Sequence, residues 1–222
     1  SFVIGKTSTG KTQFLEDLCR TIPRENLINL TTASSKALIY ECRDNPYYLN
    51  GKVVFVEELT GLKNPEIQYL LRILLTKGYA MHTTVISGQA ESIEIHGAIS
   101  LQSTGLNTDI LRDDTMNRLV IFESDHTQER TKRVIHNIKS RYSQERVNVK
   151  DDFGDYQDFF RSLTPYPVVI SYIDHIDFNT EQFETRRGSK IFMDLLSTVA
   201  LLNQGKRKIK DGKVLIAEME DF

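Results

Sequence analysis

Cysteine is scarce in this chain: its 222 residues hold two, Cys19 and Cys42. Two thiols at no metal-ligand spacing exclude both a disulfide scaffold and a cysteine-bound zinc site. They read as reduced, mostly buried residues of a cytoplasmic protein. The five histidines are scattered, and none is paired for metal ligation. No apolar run approaches the roughly 20 residues that cross a bilayer, and no secretory leader pattern is visible. Repeats, low-complexity tracts and Pro/Ser/Gly linkers are also missing. The net charge of −2 excludes bulk attraction to nucleic acid, so any polyanion contact must rest on a local basic patch.

What is present is an ordinary globular composition, 40% apolar and 26% charged. The length suits one large α/β domain, or a core domain followed by a small helical one. "FVIG" at residues 2–5 reads as the end of a buried strand. Phe14, Leu15, Leu18, Cys19 and Ile22 then recur at helical spacing, and Pro23 stops that helix. "LINL" is a second strand. "SSKALIYECR" is a short helix with a serine cap. "KVVFVEEL" is a strand buried on both faces, as in parallel sheets. Residues 65–76 are helical. Residues 80–86 and 92–95 flank the turn-like "SGQAE" and predict a β-hairpin. "AISLQST" and "RLVIFES" are two further buried strands. Five strands alternating with helices predict a parallel sheet in a three-layer α/β domain. From residue 125 the pattern turns helical, over 127–142 and 191–202, and the expected division is a core at 1–124 and a mostly helical lid at 125–222.

The chemistry begins at "GKTSTGKT", residues 5–12. The stretch fits G-x-x-x-x-G-K-[ST]: Gly5, Lys6, Thr7, Ser8, Thr9, Gly10, Lys11 and Thr12. Glycines let the backbone curl so that its N–H groups face inward, and the next helix adds its positive end. Such a loop cradles the phosphates of ATP, with Lys11 on the β/γ-phosphates and the Thr12 hydroxyl on Mg²⁺. Lys6 lies inside the loop without a chemical role of its own. Hydrolysis also needs a carboxylate-bearing strand beside the first one. "VVFVEEL" supplies it, with Glu57 assigned to the metal and Glu58 to the attacking water. An arginine from a neighbouring subunit can stabilise the γ-phosphate in the transition state. The candidate is Arg118 in "DDTMNRLVIFE"; its alternative is a surface arginine paired with Asp113 or Asp114.

The order GKTSTGKT, VVFVEE, hairpin, NRLVIFE resembles the AAA+ ATPases of the presensor-1 hairpin group. It is similar to the MCM helicases, and more so to the AAA+ helicase modules of primase-helicase replication proteins in bacterial mobile elements. "TTVISGQAESIEIHGAISLQSTG" carries most of the likeness, which covers nearly the whole chain. The resemblance implies a three-layer P-loop AAA+ domain with a presensor-1 β-hairpin and a lid. It implies sensor 1 at Thr104, beside Ser103, and the arginine finger at Arg118. In "TRRGSKIFMDLLSTVALL" it implies sensor 2 at Arg187, with Arg186 as the rival. Glu57 departs from the aspartate usual at its position.

The implied function is an ATP-hydrolysing ring, a hexameric homo-oligomer acting in DNA replication as a helicase with DNA in its central pore. A loader or initiator without unwinding is one rival, and a non-enzymatic scaffold another. Backbone contact by the hairpin normally needs Lys or Arg, yet the tip carries Glu91 and Glu94, with Lys77 and His82 near its base. Subunit packing is the alternative role for that hairpin. The basic stretch 130–141 reads first as the solvated face of an amphipathic helix. "FVIG" is short for a sheet strand, so the chain is expected to start inside a domain. The resemblance implies a primase or zinc-binding region upstream and a winged helix after residue 222.

Overall fold

The computed structural model describes the chain except for residues 31–34, 59–64, 87, 108, 110–117, 144–152 and 183–184. Two compact units emerge, Ser1–Asp155 and Tyr156–Phe222. The first is built on five parallel strands: β1 (Phe2–Ile4), β2 (Leu27–Leu30), β3 (Val53–Val56), β6 (Ser100–Gly105) and β7 (Ile121–Glu123). Their order across the sheet is β2-β3-β6-β1-β7. The helices are α1 (Lys11–Thr21), α2 (Ser35–Asp44), α3 (Pro65–Lys77) and α4 (Gln128–Ser143). Between α3 and β6 stands an antiparallel hairpin of β4 (Tyr79–Ile86) and β5 (Gln89–His96).

Alternation along the short strands makes the layers. Phe2, Val54, Val56 and Leu101 face one side, where Leu38, Ile39 and Cys42 of α2, Leu70, Leu71 and Leu74 of α3, and Ile93 and Ile95 of the hairpin pack on them. Val3 and Phe55 point the other way, onto Leu15 and Cys19 of α1. Successive strand residues face opposite sides, so a run apolar at every position buries both faces. The β-rich runs of the sequence therefore become a three-layer sheet. Both cysteines are buried and free. Burial pushes each thiol up to about 11, which keeps it protonated and unreactive near neutral pH.

Three expectations are corrected. "RLVIFES" is buried only at Leu119: β7 itself is the exposed edge of the sheet, with Phe122 51% exposed. The chain divides at Asp155/Tyr156 rather than after residue 124, because α4 clusters with the first unit. And α4 does not bury the apolar stripe of its sequence, since Val134, Ile135, Ile138 and Tyr142 are all exposed.

The second unit joins its helices to a small sheet. A three-stranded sheet of order β8-β10-β9 joins β8 (Val168–Ile170), β9 (Ile209–Lys210) and β10 (Val214–Ala217). Leu215 and Ala217 of β10 are fully buried and cluster with Leu196 and Ala200 of α6 (Thr185–Leu202). The short α5 (Gly154–Ser162) runs across the division of the two units. The run "KDGKVLIAEMEDF" reads as a strand and holds β10, whereas β8 and β9, of three and two residues, are too brief to show period-2 alternation. Tyr172 is core, as expected, and Tyr166 packs partly buried beside it.

An ion pair anchors this unit. Arg207 Nε donates to both carboxylate oxygens of Asp221, at 3.1 and 2.9 Å, and Nη2 donates to Oδ1 at 2.7 Å. The two side chains are 7% and 0% exposed. Hydrogen bonding from Arg207 holds the Asp221 carboxyl below the usual carboxylate range. Asp221 also accepts from the Glu218 N–H at 2.9 Å.

Removing one partner strands the other as a buried charge. We expect Asp221→Ala to cost about 3–5 kcal/mol, and the paired change Arg207→Met/Asp221→Leu to cost far less. The depressed carboxyl contributes stability that is full above its unfolded pKa of about 3.9 and is lost as pH falls through the lower folded value. Denaturant unfolding at neutral pH and across that acid range reads both effects, and the acid-dependent loss should be blunted in Asp221→Ala.

Candidate functional site

The loop of residues 5–12 springs from the carboxyl end of β1. Gly5 has φ +146°, and a Cβ there would collide with the Ser124 hydroxyl. Ser124 follows β7, the strand beside β1. Its N–H donates to the Ile4 carbonyl at 2.8 Å, and its hydroxyl shares a 2.8 Å hydrogen bond with Thr9 Oγ1. Thr9 Oγ1 also lies 2.9 Å from the Lys6 carbonyl, to which it donates. Ser8 and Gly10 take left-handed φ of 63° and 82°. The loop thus curls on three positive-φ residues, Gly5, Ser8 and Gly10, and is buttoned to the neighbouring strand. Ser124 was not singled out in the sequence; its signal is its place just after the strand that precedes α4.

Helix α1 begins directly at Lys11. No side chain caps its amino end, and its first turn holds no acid. Its leading N–H groups are left for an anion, with the helix dipole behind them. Thr12 is the second residue of that turn and is half-buried. Lys11 Nζ donates to the carbonyls of Gly5 at 2.8 Å and Lys6 at 2.6 Å. The ammonium therefore lies across the loop it serves.

A cavity of about 680 Å³ opens beside the loop, within the range of small-molecule sites. Lys6 to Gly10 and Phe14 form one wall; Asp125, Arg130, Val134, Ile135 and Ile138 form the other. The apolar stripe of α4, left exposed, lines this space. Asp125 accepts the Thr127 N–H at 2.8 Å, which lowers its carboxyl pKa and fixes the start of α4.

The acids Glu57 and Glu58 stand where expected, just past the end of β3, and both are exposed. Their strand is not beside β1, however. β6 pairs with both β1 and β3 and separates them. Two inter-strand steps put the acid strand about 10 Å from the loop strand, so a long carboxylate arm or a metal-bound water must bridge the gap. β6 brings Thr104 between them, opposite Val3. Thr104 is buried, and its hydroxyl donates to the Glu57 carbonyl at 2.5 Å. The neighbouring Ser103 hydroxyl is buried with no hydrogen-bond partner among the described residues.

Arg118 is not brought to the loop. It precedes β7, which runs parallel to β1 with Phe2 opposite Ile121, so it sits at the amino end of the strands while the loop leaves the carboxyl end. Its guanidinium donates to the Thr76 hydroxyl of α3. Asp113 and Asp114, its alternative partners, lie outside the described residues. Arg187 is exposed on the first turn of α6, in the second unit.

The β4–β5 hairpin is positioned by a contact that sequence reading missed. Arg43 of α2 donates to both carboxylate oxygens of Glu91, at 2.7 and 3.1 Å. At its base His96 stacks on Tyr47, with ring centroids 4.7 Å apart. The outward face shows Met81 and Val85, 57% and 70% exposed. Ser87, between the two strands, lies outside the described residues. Among the described residues no three His, Cys, Asp or Glu cluster as a metal site. Mg²⁺ in nucleotide sites takes one or two protein oxygens, with phosphate and water completing its shell. Thr12 and Glu57 suit that donor set. No described helix is long and apolar enough to cross a membrane.

Residues 1–164 match the family model described as the MTBMA_p00010 P-loop domain. The chain belongs to that P-loop family, with the nucleotide-binding, NTPase character it suggests. No curated protein matches it.

Lys11→Ala removes the ammonium that lies across the loop. Charge-assisted hydrogen bonds contribute about 1.5–3 kcal/mol, so ATP affinity should fall about 10- to 100-fold. Titration with a fluorescent ATP analogue measures this, with circular dichroism showing an unchanged fold.

Proposed function

We propose that this chain is the AAA+ motor module of a replication helicase: it hydrolyses ATP at interfaces of a homo-oligomeric ring, a hexamer, and moves along DNA. One observation carries the ATPase half. The strand between loop and acids presents a buried hydroxyl, Thr104, bonded to the backbone of the first acid. A residue so placed links the state of the γ-phosphate to the position of Glu57 and Glu58.

The roles follow from chemistry. The amides of residues 5–12 and Lys11 hold the phosphates, and Phe14 with the α4 stripe takes the base. Thr12 and Glu57 hold Mg²⁺, which when bound neutralises charge on the phosphate oxygens. Glu58 orients the attacking water and accepts its proton. Arg118, remote from its own loop, serves the next subunit. The hairpin between α3 and β6 supports the presensor-1 assignment by its place in the chain. Arg187 is the sensor 2 residue of this reading.

A second reading, a loader or initiator that does not unwind, is favoured by one observation: the outward face of that hairpin is apolar, and the tip acid Glu91 is already spent on Arg43. ATPase rates with and without single-stranded DNA, beside a fork-unwinding assay, separate the two. Stimulation with unwinding supports the helicase, stimulation alone the loader, and absence of turnover refutes both.

Arg118→Ala should bind ATP normally and lose about 10³-fold or more in turnover. Mixing Arg118→Ala with Lys11→Ala subunits should restore part of that turnover, since each mixed interface of one orientation has an intact loop and an intact finger. Failure of the mixture to complement would refute action between subunits.

A further inference from the structure

The hairpin assigned to DNA has no free cation on its outward face, yet a second hairpin is crowded with them. "QGKRKIKDGKV", residues 204–214, contains five basic residues in a chain of net charge −2. The structure divides them sharply. Arg207 is turned inward and pinned to Asp221. Lys206, Lys208, Lys210 and Lys213 are all exposed. None of the four forms an ion pair or hydrogen bond through its side chain among the described residues. Asp211 is the single acid among them.

The backbone around these lysines is fixed. Asp211 and Gly212 both take left-handed φ, 52° and 68°, the tight Asp-Gly turn that matches strand twist. The Lys213 N–H closes it on the Lys210 carbonyl at 3.0 Å. Lys208 and Lys210 are two residues apart along the chain, so they project on one side of the edge strand β9. Ile209 between them points to the other side, opposite the buried Leu215. At the base, Arg207 ties the hairpin to Glu220 as well, at 3.3 Å. Four free ammonium groups are thereby presented on the hairpin and the end of the short 3-10 helix, Gln204–Lys206, that leads into it, with the fifth basic residue serving as its anchor.

We propose that the β9–β10 hairpin is a nucleic-acid backbone contact, its four lysines engaging successive phosphates without base specificity. The inference rests on the DNA-acting part of the reading above and names the surface that performs it. Flexible ammonium groups are point-charge phosphate ligands, and their release of counterions makes binding steeply salt-dependent. An anionic membrane fits less well, because the turn carries Asp-Gly rather than an apolar or aromatic anchor. A competing role is edge protection, in which lysines merely keep β9 from pairing with other strands.

The test uses the whole chain without nucleotide, in three forms: wild type, Lys206→Gln/Lys208→Gln/Lys210→Gln/Lys213→Gln, and the same four positions changed to Arg. Binding to a fluorescein-labelled mixed-sequence 30-mer, single-stranded and duplex, is titrated at several salt concentrations. The Gln variant should bind at least tenfold more weakly, equally for different sequences. Its log K against log salt slope should be shallower by about 3–4, roughly one per lysine. The Arg variant should retain both affinity and slope, and the two strand arms decide which backbone is preferred. If wild type binds and the Gln variant binds equally with the same slope, the surface is refuted while the DNA-acting reading stands. If wild type binds neither probe, both fall. Equal DNA binding together with new self-association of the Gln variant would assign the lysines to edge protection and overturn the proposal.

Discussion

The phosphate-loop end of the first unit depends on how tightly β1 is closed off by its neighbour. Three residues, Phe2–Ile4, lie between β6 and β7 and must deliver a loop that turns at once. The turn works because Gly5 has no side chain: its Cβ position is already taken by Ser124. The same serine receives the loop through Thr9 and holds Ile4 through its own N–H. Strand end, loop and the lead into α4 are one hydrogen-bonded junction. The cavity wall built by α4 inherits its position from that junction, because only Ser124 to Thr127 separate β7 from the helix.

A second constraint acts across the sheet. Inserting β6 between loop strand and acid strand prevents direct contact between their ends, and Thr104 supplies a link in place of it. The loop and the acid pair are thus held on a common rigid layer at a set separation. Glutamate at position 57 has one more methylene than aspartate with which to span it.

Much of this was legible in the chain. Glycines at 5 and 10 with Lys11 and Thr12 mark a conformation that few sequences need, and "VVFV" before two acids marks a strand buried on both faces. Five strands followed from continuous apolar runs, and the hairpin from two β-rich runs around a turn-like stretch. What escaped notice was of three kinds. Strand order is a tertiary fact, so the place of β6 left no trace in local pattern. Arg43–Glu91 and Ser124–Thr9 join residues far apart in the chain, and each partner alone looks like a surface polar residue. In the second unit β8 and β9 have three and two residues, and strands that short beside a strong 3.6-residue period are outvoted. The stripe on α4 was seen but placed in a core, whereas it lines the cavity beside the loop.

The posture of Lys11 has a consequence for affinity. Its ammonium already has two carbonyl partners in its own loop, Gly5 and Lys6. A phosphate therefore does not meet a bare charge. It competes against acceptors that are tethered, correctly placed and present at very high local concentration. What a titration reports is the difference between two satisfied arrangements of one cation, so a ligand with a single phosphate, unable to outbid both carbonyls, gains little. Those two internal acceptors set a threshold that any anion must exceed before it takes the ammonium from the loop.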